Sequence, residues 1–107
     1  MNALTFEKIR EKKEDVEKRI KRLDERGEYY DVFTSSQGLG MYLSTIDSLL
    51  MVDKIDLDEY NDLFRWYSEK SSEVLKITMD LDHKLNEERR NNEAEQWKIY
   101  GWNAEGY

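Results

Sequence analysis

Three groupings of residues have types and spacing that could carry chemistry. His83 lies one helical turn from Asp80 and one from Glu87, a spacing that can offer ligands to zinc. All three would come from a single helix, with no second His or Cys to complete the set, so a solvent-facing histidine among charges is the expectation. The string Asp53-Lys54-Ile55-Asp56-Leu57-Asp58-Glu59 invites comparison with the back half of a twelve-residue calcium loop. With Glu59 at the twelfth position, the first, third and fifth are Ser48, Leu50 and Val52, and the obligatory glycine is Asp53. Calcium needs oxygen ligands at those early positions, and two of the three are hydrocarbon. A helix cap explains the same residues. Gly38-Leu39-Gly40 precedes an apolar segment and could offer backbone N–H groups to an anion. It lacks the lysine and the strand of a phosphate loop and reads as a turn. No catalytic residue, metal site or cofactor is expected.

Charge and aromatics are more telling. The chain has 107 residues, 38% of them charged, with a net charge of −7. Residues 1–27 are slightly basic at +2, residues 28–67 carry −6, and residues 68–107 carry −3. A basic footprint for phosphates is missing, so direct nucleic-acid binding is not expected. An acidic face spanning Asp47, Asp53, Asp56, Asp58, Glu59 and Asp62 would suit a partner with a basic surface. Of the 13 aromatic residues, 12 follow residue 28. Trp97, Tyr100, Trp102 and Tyr107 stand in a polar C-terminal stretch, where such side chains would serve as binding hot spots or cap one end of the fold. No apolar stretch is long enough for a signal peptide or a membrane span, so a soluble cytoplasmic protein is expected.

The elements that must position these groups are helices. Phe6, Ile9, Lys13, Val16, Ile20 and Leu23 recur at steps of three and four. So do Leu57, Tyr60, Phe64, Tyr67, Ser71, Val74, Thr78, Leu81 and Leu85. Each stripe lays one apolar face along a helix that must bury it against others. Proline is absent, so nothing interrupts these runs. The first helix is expected from Leu4, with Gly27 either its C-cap or an interior residue. The stripe's next steps fall on Gly27 and Tyr30, which favours continuation to about Phe33. Thr34–Gly40 reads as a loop and Met41–Val52 as a short apolar helix at the centre of the core. Asp56 and Glu59 form a capping box for the third helix, with Ile55 and Tyr60 as a hydrophobic staple. That helix spans at least 29 residues, about 43 Å. The expected fold is all-α: two long helices and a short central one in an elongated bundle over residues 1–94, followed by an aromatic tail over 95–107.

Two resemblances bear on function. Glu59 and Asp62 form a Glu-x-x-Asp pair similar to those of the all-α nucleotide pyrophosphohydrolases, which clamp magnesium with carboxylates from two helices. That likeness implies a partner pair on a neighbouring helix, for which Glu14 and Glu17 are the match, though the pairs are widely separated and the surrounding motif is missing. The stretch Tyr42–Tyr60, with its Asp53-Lys54-Ile55 step and Glu59-Tyr60 after an acidic cap, resembles a turn found in small helical proteins of Gram-positive phages and mobile elements. Asp53 stands where that turn has glycine, and the likeness covers about a fifth of the chain. It implies an accessory protein that inhibits or adapts a host nucleic-acid-handling or defence protein, as anti-CRISPR proteins do. A homodimeric coiled coil or bundle is the structural alternative, and the pyrophosphohydrolase-like enzyme the third.

Overall fold

The computed structural model describes the backbone of residues 1–99 and the side chains of residues 1–93. Within them the chain is all helical: α1 spans Ala3–Arg26, α2 Tyr29–Met51 and α3 Leu57–Ile99, with no strand. Helix α1 starts because the Asn2 side chain accepts a hydrogen bond from the Thr5 N–H at 2.8 Å. It stops at Gly27, which is left-handed at φ 61° and donates its N–H to the Leu23 carbonyl at 2.9 Å. Continuation through Gly27 to Phe33 is therefore overturned. A glycine inside a helix is destabilising, whereas in the left-handed region it costs almost nothing and satisfies an orphan carbonyl.

The second difference is larger. Residues 34–40 are not a loop; they lie within α2, so the helix expected to be short has 23 residues. Ser35, Gly38 and Leu39 join Tyr42, Ile46 and Leu49 on its buried face. Ser35 and Gly38 are small enough for α1 to approach closely. A Cβ on Gly38 would stand 2.7 Å from Arg19 Cδ. Tertiary packing thus overrides the weak helix preference of serine and glycine. The arginine stem crosses over Gly38, where Nη1 donates to the Thr34 carbonyl and Nε to Asp15 Oδ2, both at 2.9 Å.

Asp53 closes α2. It is the one non-glycine residue at positive φ, 59°, among those described. Its N–H donates to the Leu50 carbonyl and that of Lys54 to the Leu49 carbonyl, the pair of bonds that defines a Schellman end. The capping box then starts α3 as expected: Glu59 N–H donates to Asp56 Oδ1 at 2.8 Å, and Asp56 N–H to Glu59 Oε1 at 3.1 Å.

Helix α2 runs antiparallel between α1 and α3 and packs on both, while α1 and α3 meet at few points. The core is Ile9, Val16, Ile20 and Leu23 of α1, Leu39, Tyr42, Ile46 and Leu49 of α2, Ile55, and Leu63 and Val74 of α3. The buried lines follow the apolar stripes for most of their length: Ile9, Val16, Ile20 and Leu23 of α1 and Val74 of α3 are buried, and Tyr60 and Tyr67 pack against the core, while the ends of each stripe depart from it. On α1, Thr5 is buried while Phe6 is 58% exposed. On α3, Leu63 and Val74 are buried with Ile77 against them, while Leu57, Phe64 and Leu85 are exposed. At 43 residues, α3 is about 65 Å long against about 36 Å for α1. It leaves the other helices near Asp82, whose carboxylate accepts a hydrogen bond from the Tyr29 hydroxyl. The principal extents are 72 × 21 × 15 Å.

Trp66 joins all three helices. Its ring centroid is 4.9 Å from that of Tyr42, and the ammonium groups of Lys13 and Lys70 lie 5.2 and 5.6 Å from it. This accounts for a lysine in the apolar stripe of α1: its charge rests against an aromatic face instead of hydrocarbon. Tyr42 is fully buried and donates its hydroxyl to the Leu63 carbonyl at 2.8 Å.

Candidate functional site, an acidic end

Helices α1 and α3 both begin at the end of the molecule where α2 finishes, and the six candidate carboxylates gather there. Asp47 is on the last turns of α2, Asp53 in the turn, Asp56 at the start of α3, and Asp58, Glu59 and Asp62 in its first two turns. Between residues 47 and 62 the one basic side chain is Lys54.

These carboxylates differ in what they do. Asp56 and Glu59 are spent on the capping box, and Glu59 Oε2 is also 3.5 Å from the Met1 amino group. Asp47 accepts the Tyr60 hydroxyl at 2.6 Å. That hydrogen bond, with lesser help from partial burial and the Asp47 charge, pushes the Tyr60 phenol above its ordinary pKa. Asp53 holds the left-handed turn position, which aspartate tolerates better than most residues. Asp58 and Asp62 remain exposed, with Arg65 3.8 Å from Asp62 as a weak surface pair. Two residues on a helix are about 200° apart. Tyr60, with Asp47 bonded to it, therefore lies on the opposite flank of α3 from Asp58 and Asp62. The carboxylates encircle the end of the molecule. The first-turn acids also face the positive pole of the α3 dipole, a structural use of the same charges.

The other candidates are separated. His83 Nε2 is 3.2 Å from Glu87 Oε1 on the exposed part of α3. No group of three potential metal ligands occurs among the described residues. Glu59 lies level with Met1, so Glu14 and Glu17 are about 20 Å further along α1. They are not positioned to share an ion with Glu59 and Asp62. Glu17 instead lines an open groove of about 520 Å³ between α1 and α3, with Ile20 and Ile77 among alternating acids and lysines. Trp97 falls on the α3 backbone; its side chain, and all of Tyr100, Trp102 and Tyr107, lie outside the described residues.

The buried polar cluster where α1 turns into α2 escaped sequence reading. Asp31 is 2% exposed, and its Oδ2 lies 3.4 Å from Arg26 Nε, an ion pair without hydrogen-bond alignment. Arg26 also donates to Glu28 at 2.8 Å. The hydrogen bond to Glu28, then the charge of Asp31, raise the guanidinium further above its ordinary pKa. The signal in the sequence was the close spacing of Arg26, Glu28 and Asp31 around a glycine.

No helix among the described residues is long and apolar enough to cross a membrane. No protein-family model, curated protein or solved structure matches the chain.

Proposed function

We propose that this protein is a non-enzymatic protein-binding module whose acidic end occupies a basic surface of another protein. The observation that carries the reading is the collection of six carboxylates at one end of an elongated helical bundle, with Asp58 and Asp62 exposed and outside the capping box and the Asp47–Tyr60 hydrogen bond. A ring of negative charge on a narrow rigid tip suits a groove shaped for nucleic acid. The resemblance of Tyr42–Tyr60 to phage and mobile-element proteins points the same way, toward an accessory protein that inhibits a host nucleic-acid-handling or defence protein.

The test is capture from a Gram-positive lysate with the wild-type chain and with the Asp58→Lys/Asp62→Lys chain, which spares the capping box. The reading expects a basic nucleic-acid-handling protein, retained by wild type, lost on charge reversal and displaced by duplex DNA. Equal capture by both chains, or no basic partner, would overturn it.

A further inference from the structure

The outward side of α2 differs from the other helix surfaces. Between Tyr29 and Met51 the only charged residues are Asp31, which is buried, and Asp47, which is bonded to Tyr60. Asp47 is exposed and two helical turns from Gly40, so the side turned away from α1 and α3 carries a single charge in a chain of which 38% is charged. Tyr30 and Phe33, 67% and 64% exposed, mark one end, and Met51, 83% exposed, marks the other. Ser36, Gly40 and Ser44 lie between them, all exposed.

Among the described residues nothing packs against Gly40. A Cβ there would meet nothing within 4 Å, in contrast to Gly38 beneath Arg19. A glycine in mid-helix is destabilising relative to alanine, so its place on this face calls for something else that comes close. Gly40 is also the midpoint of Tyr29–Met51. A second helix of the same sequence, laid antiparallel across Gly40, sets the aromatic end of each on the Met51 end of the other. The small residues then meet at the crossing.

We propose that this face receives a second copy of the chain, α2 against α2 about a two-fold axis at Gly40. Such a contact is isologous and closes at two subunits. At about 200 Å² per aromatic side chain, the exposed parts of Tyr30 and Phe33 alone offer roughly 260 Å² per copy. Two copies, with Met41, Met51 and the small residues added, pass the ~1,000 Å² that a specific interface needs. Both copies carry a net charge of −7, so added salt strengthens the association by screening their repulsion. The pairing shares Asp47 and the Met51 end of α2 with the acidic tip but uses neither Asp58 nor Asp62, so reversal of those two charges removes the basic partner and leaves the dimer in place.

Sedimentation equilibrium up to about 0.5 mM protein tests it, a range that detects even millimolar dissociation constants. Wild type is expected to dimerise, and Phe33→Glu to weaken the dimer by roughly 30-fold or more. The chain has no cysteine, so Gly40→Cys chains are expected to cross-link through the introduced thiols when diamide is added. Ser72→Cys chains, altered at an exposed site on α3, are not. Far-UV circular dichroism verifies that each variant is helical. A wild type monomeric throughout, a dimer that Phe33→Glu leaves intact, or cross-linking through Ser72→Cys in place of Gly40→Cys would each overturn the proposal.

Discussion

Gly38 and Gly40 stand two residues apart in the same helix, and replacing each with alanine should give effects of opposite sign. Helix propensity alone favours alanine by about 1 kcal/mol at either position. At Gly40 the new methyl enters open space, so Gly40→Ala gains the whole of that. For 107 residues the unfolding entropy is about 0.22 kcal/mol/K, so the melting temperature rises by about 4–5 °C. At Gly38 the methyl would stand 2.7 Å from Arg19 Cδ and 3.2 Å from Nε. The arginine must swing away, giving up its bonds to the Thr34 carbonyl and Asp15. A half-exposed charged hydrogen bond is worth about 1–2 kcal/mol and a surface ion pair about 0.5. Gly38→Ala therefore nets a loss of about 0.5–1.5 kcal/mol. Urea denaturation followed at 222 nm, at low protein concentration so that self-association does not contribute, reads both variants. Equal stabilisation by the two would refute the packing argument, because it would mean that Arg19 does not need the space above Gly38.

Other outcomes follow from the same contacts. Tyr42→Phe removes the hydroxyl from the Leu63 carbonyl, which keeps its partner within the helix, so the cost is about 1 kcal/mol by urea denaturation. Burial holds the Tyr42 phenol above its ordinary pKa. Its contribution is therefore intact below about pH 10, where the unfolded phenol begins to ionise, and declines above it by up to about 1.4 kcal/mol per pH unit. Denaturation between about pH 9 and 11 should show that decline in wild type and a shallower one in Tyr42→Phe. Asp56→Ala removes the cap of α3 and should cost about 1 kcal/mol, while Glu59→Gln, which can still accept from the Asp56 N–H, costs less. Asp31→Asn should cost about 1 kcal/mol in thermal melts, since Arg26 is half exposed and recovers water in place of the lost charge.

Much of the architecture was legible in the residues. The stripes on α1 and α3 identified both helices, because a long amphipathic period is a strong local signal. The capping box at Asp56 and Glu59 was legible for the same reason: it is made entirely within one turn. The full extent of α2 was hidden, since Ser35 and Gly38 are helical only because α1 packs over them. Gly27 was ambiguous because a stripe continues formally through any residue, and only the left-handed backbone distinguishes a stop from a passage. Of the candidate site, the acid composition was visible but the division of labour was not. That Asp47 holds Tyr60 across a turn depends on the antiparallel packing of α2 on α3, which no local pattern records.

The middle position of α2 also bears on how the chain acquires its fold. Each neighbour contacts α2 through a short turn, two residues at Gly27–Glu28 and five at Val52–Asp56, while α1 and α3, the elements furthest apart in sequence, meet little. Nearly all pairing is thus between consecutive segments, the low contact order of fast-folding helical proteins. Local contacts allow folding to nucleate at either hairpin, α1–α2 or α2–α3, before the remaining helix docks. Only α2 belongs to both. Changes at Tyr42 or Ile46 therefore slow folding by either route, whereas changes at Val16 or Val74 burden one route and leave the other open.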